Sequence, residues 1–191
     1  MKSALEPIVV LDACVLYPAP MRDLLLYLAS QKIYQPKWSA EINDEWVRNL
    51  LLNRSDLSNA QLQKTVNAMN RAFPEANTGK SPSIIKQLTL PDPNDRHVLA
   101  TTIKSKAKKI ITANLKDFPI KYLQQFNIQA QHPDKFITEL INTYPKESLT
   151  AFHQQVNNLK NPPLSAEDVL NSLNKCGLEQ AVLKLRDLLS S

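Results

Sequence analysis

The chain has 191 residues and contains only two glycines, Gly79 and Gly177. A Rossmann dinucleotide fingerprint needs three glycines and a Walker loop needs two a few residues apart, because the backbone must approach phosphate without an intervening Cβ. Gly79 and Gly177 are too far apart for either motif. Any phosphate chemistry in this chain must therefore use side chains or a metal ion.

Hydrophobic residues make up 43% of the chain, enough for one core domain with a small appendage. The two cysteines, Cys14 and Cys176, are far apart in sequence, which argues against a disulfide framework and favours a reducing, cytoplasmic location. The N-terminal segment lacks the apolar run of a signal peptide, and no window reaches the ~18 apolar residues of a membrane span. We therefore expect a soluble, cytoplasmic protein that does not contact a membrane.

The net charge of +5 is concentrated in residues 80–121, which hold nine Lys or Arg and three Asp or Glu. A basic segment attracts phosphate-rich polymers. The run Lys104-Ser-Lys106-Ala-Lys108-Lys109 is equally typical of a solvated helix end. Charge alone therefore leaves both interpretations open.

The first third of the chain predicts one strand followed by three helices. Ile8–Leu11 is a continuous apolar run, typical of a strand buried on both faces in a parallel sheet. Helices are predicted over residues 21–33, over residues 39–52 with Ser39 as N-cap, and after Ser58, which forms a capping-box pattern with Gln61.

The middle of the chain alternates between predicted strands and helices. The strands are residues 84–90, 109–112 and 128–130, and the helices are residues 92–106, 119–126 and 133–143. This alternation predicts a three-layer α/β/α domain with a mainly parallel central sheet over residues 1–144. Residues 145–191 contain only helical patterns, with Gly177 as a C-cap, and are predicted to form a helical C-terminal extension.

Acidic residues follow three of the predicted strands. Asp12 ends the first strand, Asp92 and Asp95 follow the second, and Asp117 lies just after the third. Ligands of open α/β sheets bind at the carboxyl ends of the strands. Carboxylates gathered there repel one another, and a hard divalent cation is the usual compensation.

Most of these acids also have a structural explanation. Asp92 suits a helix N-cap, Asp95 suits the first helical turn, and Asp117 alone would be a common turn residue. Glu41 and Glu45 share one face of their predicted helix, so their spacing does not choose between them.

Four segments carry the acids in a fixed order within residues 8–136. They are VVLDACVLYP with the following Arg22-Asp23-Leu24-Leu25, then Trp38-Ser39-x-Glu41-Ile42-x-x-Glu45, then LPDPNDRHVLATTI, and then ITANLKDFP. Together they resemble the PIN-domain nucleases, and within them the VapC-type toxin ribonucleases. The resemblance implies that Asp12, Glu45, Asp95 and Asp117 are the catalytic and metal-binding residues, and it selects Glu45 over Glu41.

By this resemblance the chain is expected to be a metal-dependent endoribonuclease and the toxin of a VapBC-type toxin–antitoxin system. A Mg²⁺ or Mn²⁺ ion held by the four acids would activate water for attack on an RNA phosphodiester. RNA, a protein antitoxin and a second copy of the chain in a homodimer are the expected partners. Thr112 and Asn114 are candidate supporting contacts, and the lysines of residues 104–109 become candidate RNA contacts.

Position 14 departs from the family pattern. PIN domains often have a small polar residue there, whereas Cys14 carries a weaker hydrogen-bonding thiol. The same position argues against a haloacid-dehalogenase-like phosphatase, which needs a second Asp two residues after the first. A non-catalytic RNA-binding or regulatory module with the same fold remains the alternative. His97, two residues after Asp95, is expected on an exposed helix surface, with contact to the substrate as the alternative. Trp38 and Trp46 are expected in the core.

Overall fold

The structure is a computed structural model that describes residues 6–190. The outermost residues of the two predicted domains, residues 1–5 and 191, lie outside the described part. The strands are β1 (Ile8–Leu11), β2 (Gln35–Lys37), β3 (Lys109–Ile111) and β4 (Gln129–Gln131). The helices up to the end of the sheet are α1 (Ala13–Leu16), α2 (Ala19–Ser30), α3 (Ala40–Asn53), α4 (Asn59–Ala72), α5 (Pro82–Ile85), α6 (Arg96–Lys104) and α7 (Ile120–Leu123). The remaining helices are α8 (Pro133–Thr143), α9 (Pro145–Asn158), α10 (Ala166–Lys175) and α11 (Glu179–Leu189).

The four strands form one parallel sheet in the order β2-β1-β3-β4. Val10 of β1 is in register with Ile110 of β3, and both side chains are fully buried. Burial on both faces explains why β1 is a continuous apolar run rather than an alternating one. Since all strands are parallel, their carboxyl ends share one edge. The predicted α/β class with a parallel central sheet is confirmed.

Two strand assignments differ from the sequence expectation. Residues 84–90 do not form a strand: Pro82–Ile85 is the short helix α5, followed by a turn. The second strand of the sheet is instead Gln35–Lys37, which carries no apolar pattern. It lies at the edge of the sheet, where Pro36 can be accommodated because a proline that lacks an N–H is tolerated on an edge strand.

Local signals predicted the helix starts correctly. The Ser39 side chain accepts a hydrogen bond from the Ile42 N–H at the start of α3. Ser58 and Gln61 form the predicted capping box at the start of α4. Trp38 and Trp46 are fully buried, as expected of core residues.

The chain divides into two compact units. One consists of residues 7–17 and 35–131 and contains the whole sheet. The other consists of residues 18–34 and 132–190, in which α2 packs against α9 and α8 packs against α11. The helices α2 and α8 therefore belong to the same compact unit as the tail helices. The division into two domains at residue 144 stays a prediction.

The tail helices bury their apolar faces. The buried residues are Val169, Leu170, Leu173, Leu178, Val182 and Leu185, each no more than 1% exposed. Gly177 follows α10 with a φ of +82°, as expected of a C-cap. Within residues 6–190, no helix combines the length and the apolarity needed to cross a membrane.

Candidate metal-dependent nuclease site

Asp12 is a buried carboxylate at the carboxyl end of β1. It is 3% exposed and serves as the N-cap of α1. Its Oδ1 accepts a hydrogen bond from the Ala13 N–H at 2.6 Å, and its Oδ2 accepts one from the Thr112 hydroxyl, also at 2.6 Å. Burial nevertheless raises the pKa of Asp12, only partly offset by these hydrogen bonds. The carboxylate is thus fixed in place and costly to keep charged without a cation.

An open cleft of about 580 Å³ contains Glu45, Asp95 and Asp117 among its lining residues. It is lined by six acidic residues and one arginine, together with polar side chains, and we call it the acidic cleft. The lining residues are Glu41, Asp44, Glu45, Arg48, Asn49, Asp92, Asn94, Asp95, His97, Asn114 and Asp117. Three of the four predicted site acids line the cleft, and the fourth, Asp12, interacts electrostatically with two of them, Glu45 and Asp95. The fold therefore brings the four acids together.

Asp95 is a partly buried carboxylate surrounded by other acids. Burial, followed by repulsion from Asp12, Asp92, Asp117 and Glu45, raises the pKa of Asp95 to about 7. Its side chain makes no capping hydrogen bond to α6, so helix capping does not explain its presence. Repulsion from several carboxylates is the pattern that a bound divalent cation relieves.

Asp92 has the structural role that its position predicted. It is the N-cap of the 3₁₀ turn Pro93–Asp95 and accepts a hydrogen bond from the Asn94 N–H at 2.8 Å. Asp117 closes a second 3₁₀ turn, Leu115–Asp117, and contributes to the repulsion on Asp95.

His97 lies inside the acidic cleft rather than on an exposed helix surface as expected. Its side chain is 14% exposed, and its Nε2 lies 3.2 Å from Glu45 Oε2, within ion-pair distance but outside hydrogen-bond geometry. Its Nδ1 lies 2.6 Å from the Asn94 carbonyl oxygen. Burial lowers the pKa of His97, but the interactions with Glu45 and Asn94 outweigh it and the net shift is upward. Glu45 therefore contacts His97, whereas the buried Oε2 of Glu41 makes no hydrogen bond to any residue that the structure describes.

The Cys14 thiol lies between Asp12 and the backbone that follows β3. Its Sγ lies 3.2 Å from Asp12 Oδ2 and accepts a hydrogen bond from the Ala113 N–H at 3.3 Å. Burial and the charge of Asp12 raise the pKa of the thiol to about 12, so the thiol stays protonated. Cys14 has no hydroxyl group to offer Asp12. The Thr112 hydroxyl donates a hydrogen bond to Asp12 instead.

The lysine run and the acidic cleft lie at opposite ends of the sheet. Lys109 begins β3, and Lys104 ends α6, the helix that starts beside the cleft. These lysines therefore do not line the acidic cleft, and their role as RNA contacts stays a prediction. The arginine that lines the cleft is Arg48 on α3. Arg48 follows Asp44 by four residues, so both lie on the same helix face. This spacing is the sequence signal that could have identified Arg48 as a site residue.

The donor set suits Mg²⁺ or Mn²⁺. Carboxylate oxygens are the ligands that these hard cations prefer. Among residues 6–190, no three His, Cys, Asp or Glu side chains form a ready-made set of metal ligands. Mg²⁺ is commonly held by one or two carboxylates and several waters, so a site of this kind does not require three protein ligands.

Comparisons with known proteins identify the family of the chain. A family model described as "PIN domain" matches residues 8–116, and one described as "VapC50 C-terminal domain" matches residues 133–187. The first match covers more than half of the chain, so the chain belongs to the PIN domain family. Asp12, Glu45 and Asp95 fall inside that match, and Asp117 lies one residue beyond it.

One curated relative matches part of the chain. It is named "Putative ribonuclease VapC50", comes from Mycobacterium tuberculosis, and is 33% identical over 97 residues. The alignment covers 51% of this chain and 57% of that protein, so little more than half of the relative's length is matched. No solved structure matches the chain.

Proposed function

We propose that the chain is a metal-dependent endoribonuclease of the VapC type. One observation carries the proposal: Asp12, Glu45, Asp95 and Asp117 form one acidic cluster at the carboxyl end of a PIN-domain sheet. The relative named as a ribonuclease supports RNA as the substrate. The repulsion on Asp95 supports a divalent cation as the partner of the cluster.

Asp12 and Asp95 are the residues that would hold Mg²⁺ or Mn²⁺, with Glu45 and Asp117 around them. The bound ion supplies charge neutralisation for a phosphodiester and lowers the pKa of water. Thr112 keeps Asp12 aimed at the cleft, and His97 holds Glu45 in place. Arg48 lines the same cleft and is placed to contact a substrate phosphate.

A toxin role, with a protein antitoxin as partner, is part of the proposal because the relative is a VapC protein and the tail matches a VapC50 model. The predicted homodimer and cytoplasmic location also stay proposals. The apolar residues of the tail helices are mostly buried, although Leu183 and Leu189 of α11 are exposed. Co-purification with the product of a neighbouring reading frame would test the antitoxin proposal.

A cleavage assay separates this function from a non-catalytic RNA-binding module. Purified protein is incubated with RNA in Mg²⁺, Mn²⁺ or EDTA, beside the variants Asp12→Asn and Asp44→Asn. Asp44 lines the cleft but is absent from the residues that act on Asp12 and Asp95. We expect cleavage only with metal, its loss in Asp12→Asn and its retention in Asp44→Asn. Identical behaviour of the parent and Asp12→Asn would favour the non-catalytic module.

A further inference from the structure

The acidic cleft by itself is a poor binding site for RNA. Six carboxylates and one arginine line it, so a polyanion is repelled everywhere except at a bound cation. Affinity for RNA is normally supplied by Lys and Arg contacts to phosphates. An RNA substrate therefore needs contacts elsewhere on the molecule.

The basic residues of the chain provide such a surface at the other end of the sheet. We call Lys80, Lys104, Lys106 and Lys108 the distal lysine surface; all four are exposed. Lys104 Nζ donates a hydrogen bond to the Lys80 carbonyl oxygen at 3.0 Å, which joins the two chain segments. None of the four forms an ion pair with any residue that the structure describes.

A concave surface continues from these lysines. It has a volume of about 410 Å³ and contains two lysines and three amide side chains but no carboxylate. Its lining residues are Lys108, Lys109, Gln124, Asn127, Ile128 and Gln129. Lysines recognise phosphates and amides offer both donors and acceptors, so this surface suits a nucleotide chain rather than an apolar ligand.

The separation between the two surfaces decides how the lysines act. Helix α6 spans nine residues between them, or roughly 13 Å, and the three residues of β3 span roughly 10 Å. Exposed charges farther apart than about 10 Å are largely screened at 0.1 M salt. The lysines therefore cannot assist the cleft through their field alone, and the RNA itself must reach them.

We propose that the distal lysine surface is a second RNA-binding site that holds phosphates roughly 10 Å or more from the bond being cut. The substrate class is then an extended or folded RNA that reaches both surfaces, and not a short oligonucleotide. The part of this inference that concerns cleavage rests on the proposed ribonuclease function. RNA binding by the lysines does not.

The test compares two charge-matched triple variants of the full chain. One is Lys80→Gln, Lys106→Gln and Lys108→Gln, with Lys104 kept because of its hydrogen bond. The control is Lys64→Gln, Lys146→Gln and Lys184→Gln, three exposed lysines on α4, α9 and α11. Binding of a trinucleotide and of an RNA stem of about 16 base pairs, the span of one double-stranded RNA-binding domain, is measured by fluorescence anisotropy in EDTA.

We expect the first variant to bind the long RNA about tenfold or more weakly, with a log–log salt slope reduced by about 2–3. The control is expected to change by less than about twofold. The trinucleotide offers only two phosphates and is expected to bind all three proteins weakly, because the metal-free cleft repels it. Equal affinities of the two variants for the long RNA would overturn the proposal.

Cleavage in Mn²⁺ distinguishes this inference from the proposed function. If the parent cleaves both RNAs, the distal variant should lose kcat/KM on the long RNA alone, and an equal loss on both RNAs would overturn the inference. If no protein cleaves RNA but the lysine-dependent binding in EDTA is observed, the ribonuclease proposal fails and the distal RNA-binding site stands.

Discussion

The Thr112 hydroxyl donates a hydrogen bond to Asp12 Oδ2 at 2.6 Å, although the two residues are 100 positions apart in the chain. Asp12 follows β1 and Thr112 follows the neighbouring strand β3, so the pairing of the strands creates the contact. The Thr112 hydroxyl also accepts a hydrogen bond from the Asn114 N–H at 3.0 Å. One side chain therefore orders both the buried acid and the loop that leads to Asp117.

Thr112→Val should destabilise the protein and weaken metal binding. The variant keeps the shape but leaves a buried carboxylate oxygen with one partner fewer, at a cost of about 1–3 kcal/mol. Urea unfolding and Mg²⁺ titration measure the two effects. Thr112→Ser, which keeps the hydroxyl, is the control, and equal stability of the two variants would refute the role assigned to this hydrogen bond.

Glu45→Gln should reduce cleavage by about 10–100-fold, the range seen when a residue that supports a metal site is lost. Glu45 interacts with Asp12, Asp95 and His97. Glu41 lines the same cleft on the same helix but is not among the residues that contribute most to the raised pKa of Asp12 or Asp95, so Glu41→Gln should change the rate by less than about threefold. Steady-state rates on one RNA provide the comparison, and a larger loss in Glu41→Gln would reverse the assignment.

Asp95 should make the metal-free protein less stable as the pH rises. Its pKa is about 7 in the folded chain and about 3.9 when unfolded. Between these values the folded state binds more protons, so stability falls as the pH rises from about 4 to 7. Because the side chain is partly exposed, solvent screening reduces the effect to about 1–2 kcal/mol.

Unfolding in EDTA at pH 5 and pH 8 tests this expectation. Asp95→Asn should flatten the pH dependence, and Mg²⁺ at pH 8 should restore stability to the parent, since a cation that binds only the folded state stabilises it. Asp44→Asn is the matched control at the rim of the same cleft. A parent and an Asp95→Asn variant with the same pH dependence would contradict the electrostatic account.

His97→Ala should lower stability at pH 5 by about 1 kcal/mol and have less effect at pH 8. The folded-state pKa of His97 is raised, so its ion pair with Glu45 is present at low pH and is lost as the pH rises through that pKa. His153→Ala, at an exposed position on α9, serves as the control. A pH-independent loss in His97→Ala would indicate packing rather than charge.

The parts of the fold that depend on neighbouring residues were predictable from the sequence. The side chains of Ser39 and Ser58 cap helices by accepting hydrogen bonds from N–H groups three residues later. The strand Ile8–Leu11 consists only of apolar residues, which predicts that it is buried. Pairing between distant segments was not predictable. Gln35–Lys37 becomes a strand only because β1 lies beside it, whereas residues 84–90 carry apolar residues but have no strand to pair with.

The same distinction applies to the site. Acids at strand ends could be found in the sequence because parallel strands share one carboxyl edge, so Asp12, Asp95 and Asp117 were predictable as neighbours. The positions of His97 and of the lysines depend on how α6 is oriented, which its sequence does not reveal. That orientation brings His97 into the cleft and carries Lys104 to the far end.

The most direct test of metal-dependent hydrolysis is to identify the RNA ends formed by the purified protein in Mn²⁺. Attack by an activated water predicts 5′-phosphate and 3′-hydroxyl ends, which disappear with EDTA and with Asp12→Asn or Asp95→Asn in a protein that remains folded. Ends bearing a 2′,3′-cyclic phosphate, or cleavage that persists in EDTA, would contradict the account.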